Sequence, residues 1–377
     1  MNYELTDKQK EIRRSMRNLV PEIQTVAEDN GLETLKQNMV KLAAVNYQSI
    51  VLGEDIVGYC LAAEELAKTC PSTFFSSMST TAAFGLPINK FGTAEQKRKY
   101  LEPILSGAGW GALGVTEAQA GSDLSGMTTI AQKTPTGGFV LNGSKSFVTN
   151  APLADAFLFL AWTNQEAGKE KGMTFFLIDR KAKGVQISEA TKTMGLRGAP
   201  IADLQLIDCA VGPEAVLGKT GDGYGQWTAV EPLLWLSVSL LALGIGVSCM
   251  ENSTIYAKGR TAFGKPIGYF EGVGAKLAIM FTMVDLGRMI TQRAAWGMEH
   301  NDTEAAILAS CAKLFTSEAV NKIADLAMQI FAGHGYILGS KVERLYRDAR
   351  IAEIVYGTSE MQRGFIAADS LKKFKTA

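Results

Sequence analysis

The sequence predicts an α+β chain that is mainly helical, with a β segment between two helical ones. The hydrophobic period is helical over residues 1–109, strand-like over 110–219 and helical again over 220–377. No β-α-β alternation interrupts that order, which excludes a doubly wound parallel sheet. The composition agrees: 377 residues, 47% hydrophobic and 20% charged, give an ordinary folded protein of two or three domains with a large core.

In the first segment, Thr6 and Gln9 form a capping-box start, and Ile12, Met16, Leu19, Val20 and Ile23 follow at helical spacing. Further helices are expected near 33–46, 55–69 and 94–105, separated by Gly53, Pro71 and Gly92. In the middle segment, FVLNGSKSFVTN sets Asn142-Gly143 between two β-prone runs and predicts a hairpin. AFLFLAW (156–162), MTFFLI (173–178) and LQLI (204–207) read as further strands, so an antiparallel β domain is expected. In the last segment, one long helix is marked by an apolar face through Ile307, Leu308, Cys311, Leu314, Phe315, Ile323, Leu326, Ala327 and Ile330. Lys313, Glu318 and Lys322 are expected opposite it, toward solvent.

Charge and composition remove several classes of function. Lys plus Arg and Asp plus Glu both number 38, so the long-range attraction that nucleic-acid binding needs is missing. The five cysteines stand at least ten residues apart with no CxxC pair, and read as buried thiols of a reducing compartment. MNYELTDKQKEIRR carries charge from Glu4 onward and lacks an apolar signal core, so a cytoplasmic protein is expected. Pro232–Met250 holds nineteen uncharged residues, near a membrane span in length. Serines and glycines dilute it and no basic cluster flanks it, so it reads as a buried core helix and no membrane partner is expected. The two histidines, His300 and His334, are too few for a His-based metal site or a Ser-His-Asp triad, and no metal is expected. GRTAFGKP (259–266) has the spacing of a phosphate loop but carries Pro266 where Ser or Thr should hold magnesium.

What remains is a set of segments dense in small and hydrogen-bonding residues: VTEAQAGSD (115–123), KSFVTN (145–150), GRTAFGKP, QIFAGHG (329–335) and VYGTSEMQR (355–363). Such segments can offer N–H groups, hydroxyls and an arginine to a large phosphate-bearing cofactor. With GTAEQKRKYLEPILSG (92–107), MGLRGAP (194–200) and RLYRDARI, their order and spacing resemble the acyl-CoA dehydrogenase family over nearly the whole chain.

The resemblance implies an N-terminal helical domain, a middle β domain, a C-terminal four-helix bundle, and one FAD per subunit. By match of motif, Leu113, Val115 and Thr116 would meet the flavin ring. Gly121 and Ser122 would belong to the cofactor site, with Ser122 near the ribityl or phosphate groups. Phe147 replaces the family's usual tryptophan, and Thr149 would lie near the flavin N5. A neighbouring subunit would bring Arg260 and Phe263 to the pyrophosphate and adenine, and Gln329 and Gly333 to the adenosine. Thr358 and Glu360 match a further pyrophosphate-binding turn. A homodimer or homotetramer is therefore implied.

The departures concern chemistry. The family's usual base is a glutamate in I-Y-E-G-T, where this chain has Tyr356. An alternative family position for the glutamate is filled by Leu234. A phenol with a pKa near 10 is a poor base at neutral pH. Tyr356 is nonetheless a candidate to orient or deprotonate a substrate hydroxyl, with Glu231 and Glu353 as candidate substitute bases. The family's L-D-x-x-R clamp on coenzyme A is also changed, with Pro232 and Trp235 at its aspartate and arginine positions. That pattern resembles members serving polyketide and nonribosomal-peptide pathways, which oxidise small acyl groups on acyl or peptidyl carrier proteins, as in hydroxymalonyl- or aminomalonyl-type units. The implied function is an FAD-dependent oxidoreductase acting on CH-CH or CH-OH of a carrier-bound acyl or aminoacyl thioester in secondary metabolism. Three alternatives stand beside it: a soluble acyl-CoA dehydrogenase with a relocated base, a flavin monooxygenase, and a non-catalytic FAD-binding relative.

Overall fold

The computed structural model describes residues 4–26 and 31–373. Its first part holds α1 (Asp7–Leu19), α2 (Leu32–Ala44), α3 (Tyr47–Leu52), α4 (Ile56–Thr69), α5 (Pro71–Met78), α6 (Leu86–Phe91) and α7 (Ala94–Leu105). The expected capping box opens α1: Thr6 Oγ1 accepts from Gln9 N, and the Gln9 side chain accepts from Thr6 N. A seven-residue π-helical turn, Ser79–Gly85, joins α5 to α6, so Pro71–Phe91 is one nearly continuous helical run. Pro71 thus starts a helix where the sequence suggested a break, because the first helical position needs no N–H. Residues 71–88 are all buried, and a helix wrapped in apolar neighbours shows no amphipathic period.

The strands are β1 (Gly111–Gly114), β2 (Ile130–Lys133), β3 (Phe139–Thr149), β4 (Ala156–Trp162), β5 (Met173–Asp179), β6 (Val185–Ile187) and β7 (Ile201–Val211), with the one-turn α8 (Lys169–Gly172) before β5. They form one seven-stranded sheet in the order β1-β4-β2-β3-β7-β6, with β5 also on β4. The sheet is mixed, which corrects the expected antiparallel domain: β4 runs parallel to both β1 and β2. The expected hairpin at Asn142-Gly143 is also replaced. Strand β3 runs straight through it, with a register shift against β7 between Leu141 and Gly143. Gly143 supplies φ 148° there, and a Cβ would meet Thr129 Oγ1 at 2.4 Å. The Asn-Gly signal thus marks a bulge, because both flanking runs pair with the same partner strand.

The last part holds α9 (Gly223–Gly259), the short strands β8 (Thr261–Ala262) and β9 (Lys265–Pro266), α10 (Glu271–Glu299), α11 (Ala305–Phe331), α12 (Lys341–Ala349) and α13 (Ser359–Lys373). Helices α9, α10, α11 and α13 pack as a bundle, and α4 of the first part lies against α9 and α10. One apolar core therefore runs through both helical parts. Helix α9 is long and apolar enough to cross a membrane, but 94% of its most apolar window is buried inside the fold, as expected for a core helix. Lys313 departs from its expected solvent-facing place: it is fully buried in α11.

Candidate active site

One cavity of about 960 Å³ opens where the sheet, the π-helical run, the start of α9 and the turn before α13 meet. The β-side wall is shaped by two devices. Strand β3 has a second register shift between Lys145 and Val148, where Phe147 adopts φ 58° and stands 68% exposed on the cavity. Below it, the loop after β1 is folded around Glu117, whose carboxylate accepts from Thr128 N, Thr128 Oγ1, Thr129 N and Gln119 Nε2. Lys145 Nζ completes the knot at 2.8 Å, with both side chains almost wholly buried. Burial alone would raise the Glu117 pKa, but the Lys145 charge and these hydrogen bonds outweigh it and hold it well below the usual carboxylate range. The loop and strand are thereby fixed together, with Ser146 N donating to Thr116 O.

Leu113, Val115, Thr116, Gly121, Ser122, Phe147, Thr149 and Thr358 all line the cavity. Arg260, Phe263, Gln329, Gly333 and Glu360 lie outside it and are exposed, Phe263 at 96%. The lining fits FAD in kind: apolar Leu113 and Val115 suit a ring, while Thr116, Ser122, Thr149 and Thr358 offer hydroxyls to polar arms. Its volume is at the upper end of cofactor pockets, about 300–1,000 Å³.

Of the three candidate catalytic residues, two reach the cavity. Glu231 lies on the third turn of α9, and burial pushes its carboxyl up to about 7 against an opposing hydrogen bond with Trp227. Tyr356 also lines the cavity, held at φ 51° beside Gly357 at φ 97°. Burial pushes its phenol up to about 12, so at neutral pH it keeps its proton and can donate to a substrate oxygen, the orienting half of its expected role. Glu353 is not at the site. Its Oε1 accepts from Asn321 and its Oε2 pairs with Arg350, which makes it a structural link between α11 and the turn after α12.

Three further residues at or behind the site carry no functional signal in the sequence. Ser79, the first residue of the π-helical turn, brings its Oγ within 3.5 Å of Tyr356 OH. Lys313 Nζ donates to Gly357 O at 2.6 Å and so braces the turn that carries Tyr356, its pKa lowered to about 8 by burial. Asp348, buried in α12, accepts from Leu196 N at 2.6 Å and pins the cavity loop 191–196. A charged residue in a helical period reads as solvated, so only the tertiary structure reveals Lys313 and Asp348.

Models of the N-terminal, middle and C-terminal domains of acyl-CoA dehydrogenase match residues 6–108, 112–209 and 235–371. The chain belongs to the acyl-CoA dehydrogenase family. It is therefore an FAD-dependent oxidoreductase acting on acyl thioesters, and FAD is its cofactor. The probable acyl-CoA dehydrogenase YngJ of Bacillus subtilis is 35% identical over 99% of this chain and all of its own length. Among solved structures, butyryl-CoA dehydrogenase from Megasphaera elsdenii superposes with TM-score 0.92 at 30% identity, covering 98% of this chain and 100% of its own. The prolyl acyl carrier protein oxidase AnaB superposes with TM-score 0.91 at 28% identity, again over 98% and 100%. PigA with FAD and proline gives TM-score 0.92 at 26% identity, over 99% and 100%. The family thus includes proteins named for coenzyme A thioesters and one named for a carrier-protein substrate.

Proposed function

We propose that this acyl-CoA dehydrogenase family member oxidises a small acyl or aminoacyl thioester delivered on an acyl or peptidyl carrier protein, in a secondary-metabolite pathway, with Glu231 as general base. One observation carries the reading: Glu231 is a cavity-lining carboxyl held near pH 7, the value a general base needs at physiological pH. FAD supplies the hydride acceptor. Glu231 takes the proton α to the thioester as the neighbouring carbon gives up a hydride, so the substrate loses two hydrogens and two electrons. Tyr356 and Ser79 orient the acyl group, while Leu113, Val115 and Phe147 exclude water from the flavin side.

The carrier reading is supported by Pro232 and Trp235 in the cavity wall, where other members carry an aspartate and an arginine for coenzyme A. A carrier brings its own phosphopantetheine and docks by its surface, so that clamp is dispensable. The names of AnaB and of the proline-bound PigA complex favour the same class. A soluble acyl-CoA substrate is the second reading. It is favoured by the identity to YngJ, and by Lys169 and Lys192 on the cavity lining, which suit coenzyme A phosphates. Arg260, Phe263, Gln329 and Gly333 are exposed away from this cavity, which suits a second copy completing each FAD site in a cytoplasmic homodimer or homotetramer.

Anaerobic titration of the holoprotein tests this. Short acyl-CoAs and the same acyl or aminoacyl groups on a carrier protein are compared by the loss of visible flavin absorbance. Bleaching by carrier-bound substrates alone is expected. Equal bleaching by free acyl-CoAs would establish the second reading.

A further inference from the structure

Two hydroxyls deep in the cavity satisfy each other poorly. Ser79 Oγ and Tyr356 OH stand 3.5 Å apart, against about 2.7–2.8 Å for an ordinary O–H···O bond. Ser79 is only 2% exposed, and among the described residues its hydroxyl has no other hydrogen-bond partner. A desolvated hydroxyl left without a partner costs about 1–3 kcal/mol. The backbone on both sides is also unusual: Ser79 opens a π-helical turn, and Tyr356 holds an aromatic side chain at φ 51°. π-helical turns and left-handed non-glycine residues concentrate at functional sites. Lys313 clamps the Tyr356 turn from beneath through Gly357 O, so the phenol is held rather than free to swing away.

We infer that Ser79 and Tyr356 form a hydroxyl fork for a neutral oxygen on the acyl group, making the substrate a hydroxyacyl or oxoacyl thioester rather than a plain alkanoyl one. This rests on the proposed reading that an acyl thioester fills the cavity. A third oxygen about 2.8 Å from each hydroxyl closes the triangle that the two leave open. The fork is assigned to the acyl group rather than the thioester because Ser79 is nearly inaccessible, whereas Lys192 on the same lining is solvent-exposed and marks the open side where a pantetheine arm would enter. Charge selects a neutral oxygen. Lys313 is turned to Gly357 O, no cation bonds either hydroxyl among the described residues, and Glu231 on α9 disfavours an anion. The surrounding Phe75 and Trp235 keep the site dry. A plain alkanoyl chain would displace water from both hydroxyls and offer nothing in return, which is how a site built to bond an oxygen rejects the analogue without it.

The test uses the holoprotein with butyryl-, 3-hydroxybutyryl- and 3-oxobutyryl-pantetheine. Binding of all three is read from the shift of the visible flavin spectrum, and oxidation from anaerobic bleaching by the butyryl and 3-hydroxybutyryl ligands alone, since C3 of the 3-oxobutyryl group has no hydrogen to give up. The oxygenated ligands are expected to bind on the order of 100-fold more tightly than butyryl. Ser79→Ala and Tyr356→Phe should each cut that ratio about tenfold, and the double variant should cut it by less than the product of the two. The fork is overturned if butyryl binds as tightly in the wild type. It is also overturned if both variants leave the ratio unchanged while weakening all three ligands together, since the hydroxyls would then hold an oxygen common to every thioester. Failure of the underlying reading is separate: it shows as no spectral shift with any of the three, which removes the fork as well, or as undiminished bleaching in Glu231→Gln with the ratio intact.

Discussion

Glu231→Gln is expected to slow flavin bleaching by a thioester substrate by about a thousandfold, the scale of a lost general base, while FAD stays bound. The pH dependence gives the sign. The base acts ionised, and burial holds its pKa near 7, so the wild-type bleaching rate should rise with pH through about 7 and then level off. The variant should lack that rise. Tyr356, pushed up to about 12, contributes no step in this range. Stability should move the opposite way. Because the folded-state pKa of Glu231 is raised above its unfolded value, near 4.3, its contribution to stability is fully present below about pH 4 and lost as pH rises through 7. Glu231→Gln should therefore melt like wild type at pH 4 and gain about 1–3 kcal/mol over it at pH 8. Melting curves at the two pH values check this, and a bleaching rate unchanged by the substitution would remove Glu231 from the chemistry.

Lys145→Met should be the most destabilising single change in the middle domain. It leaves the Glu117 carboxylate buried without its cation, a loss of about 3–5 kcal/mol, and it frees the loop that carries Thr116 and Ser122. Urea unfolding should show the loss, and the purified variant should carry less FAD than wild type. Pairing Lys145→Met with Glu117→Gln should recover part of the stability, because the double variant no longer buries a lone charge. Additive losses would mean that the pair does not act as a unit.

Much of this was legible in the sequence, and what was missed has identifiable physical causes. The helices with one wet face showed their period, and Thr6 with Gln9 marked the start of α1 to the residue. The run Pro71–Phe91 was missed because every residue from 71 to 88 is buried, which leaves no wet face to show a period. The Asn142-Gly143 hairpin was misread because turn chemistry and bulge chemistry share a glycine at positive φ. Parallel pairing of β4 with β1 and β2 is a long-range choice that no local pattern encodes. Motif resemblance placed eight cofactor-site candidates on the cavity lining, but it could not separate Glu231 from Glu353. Both are charged residues in helical surroundings, and only packing leaves one desolvated in a cavity and the other tied to Asn321 and Arg350. Ser79 carried no signal, since a serine in an apolar run looks like any other buried hydroxyl.

The most direct test of Glu231 as the base is exchange of the substrate's α-proton. The holoprotein is held without an electron acceptor in heavy water with a small carrier-bound acyl thioester, and deuterium at the α-carbon is followed by mass spectrometry. Incorporation by wild type and none above background by Glu231→Gln is the expected result. Equal incorporation by both proteins would contradict the assignment of the base.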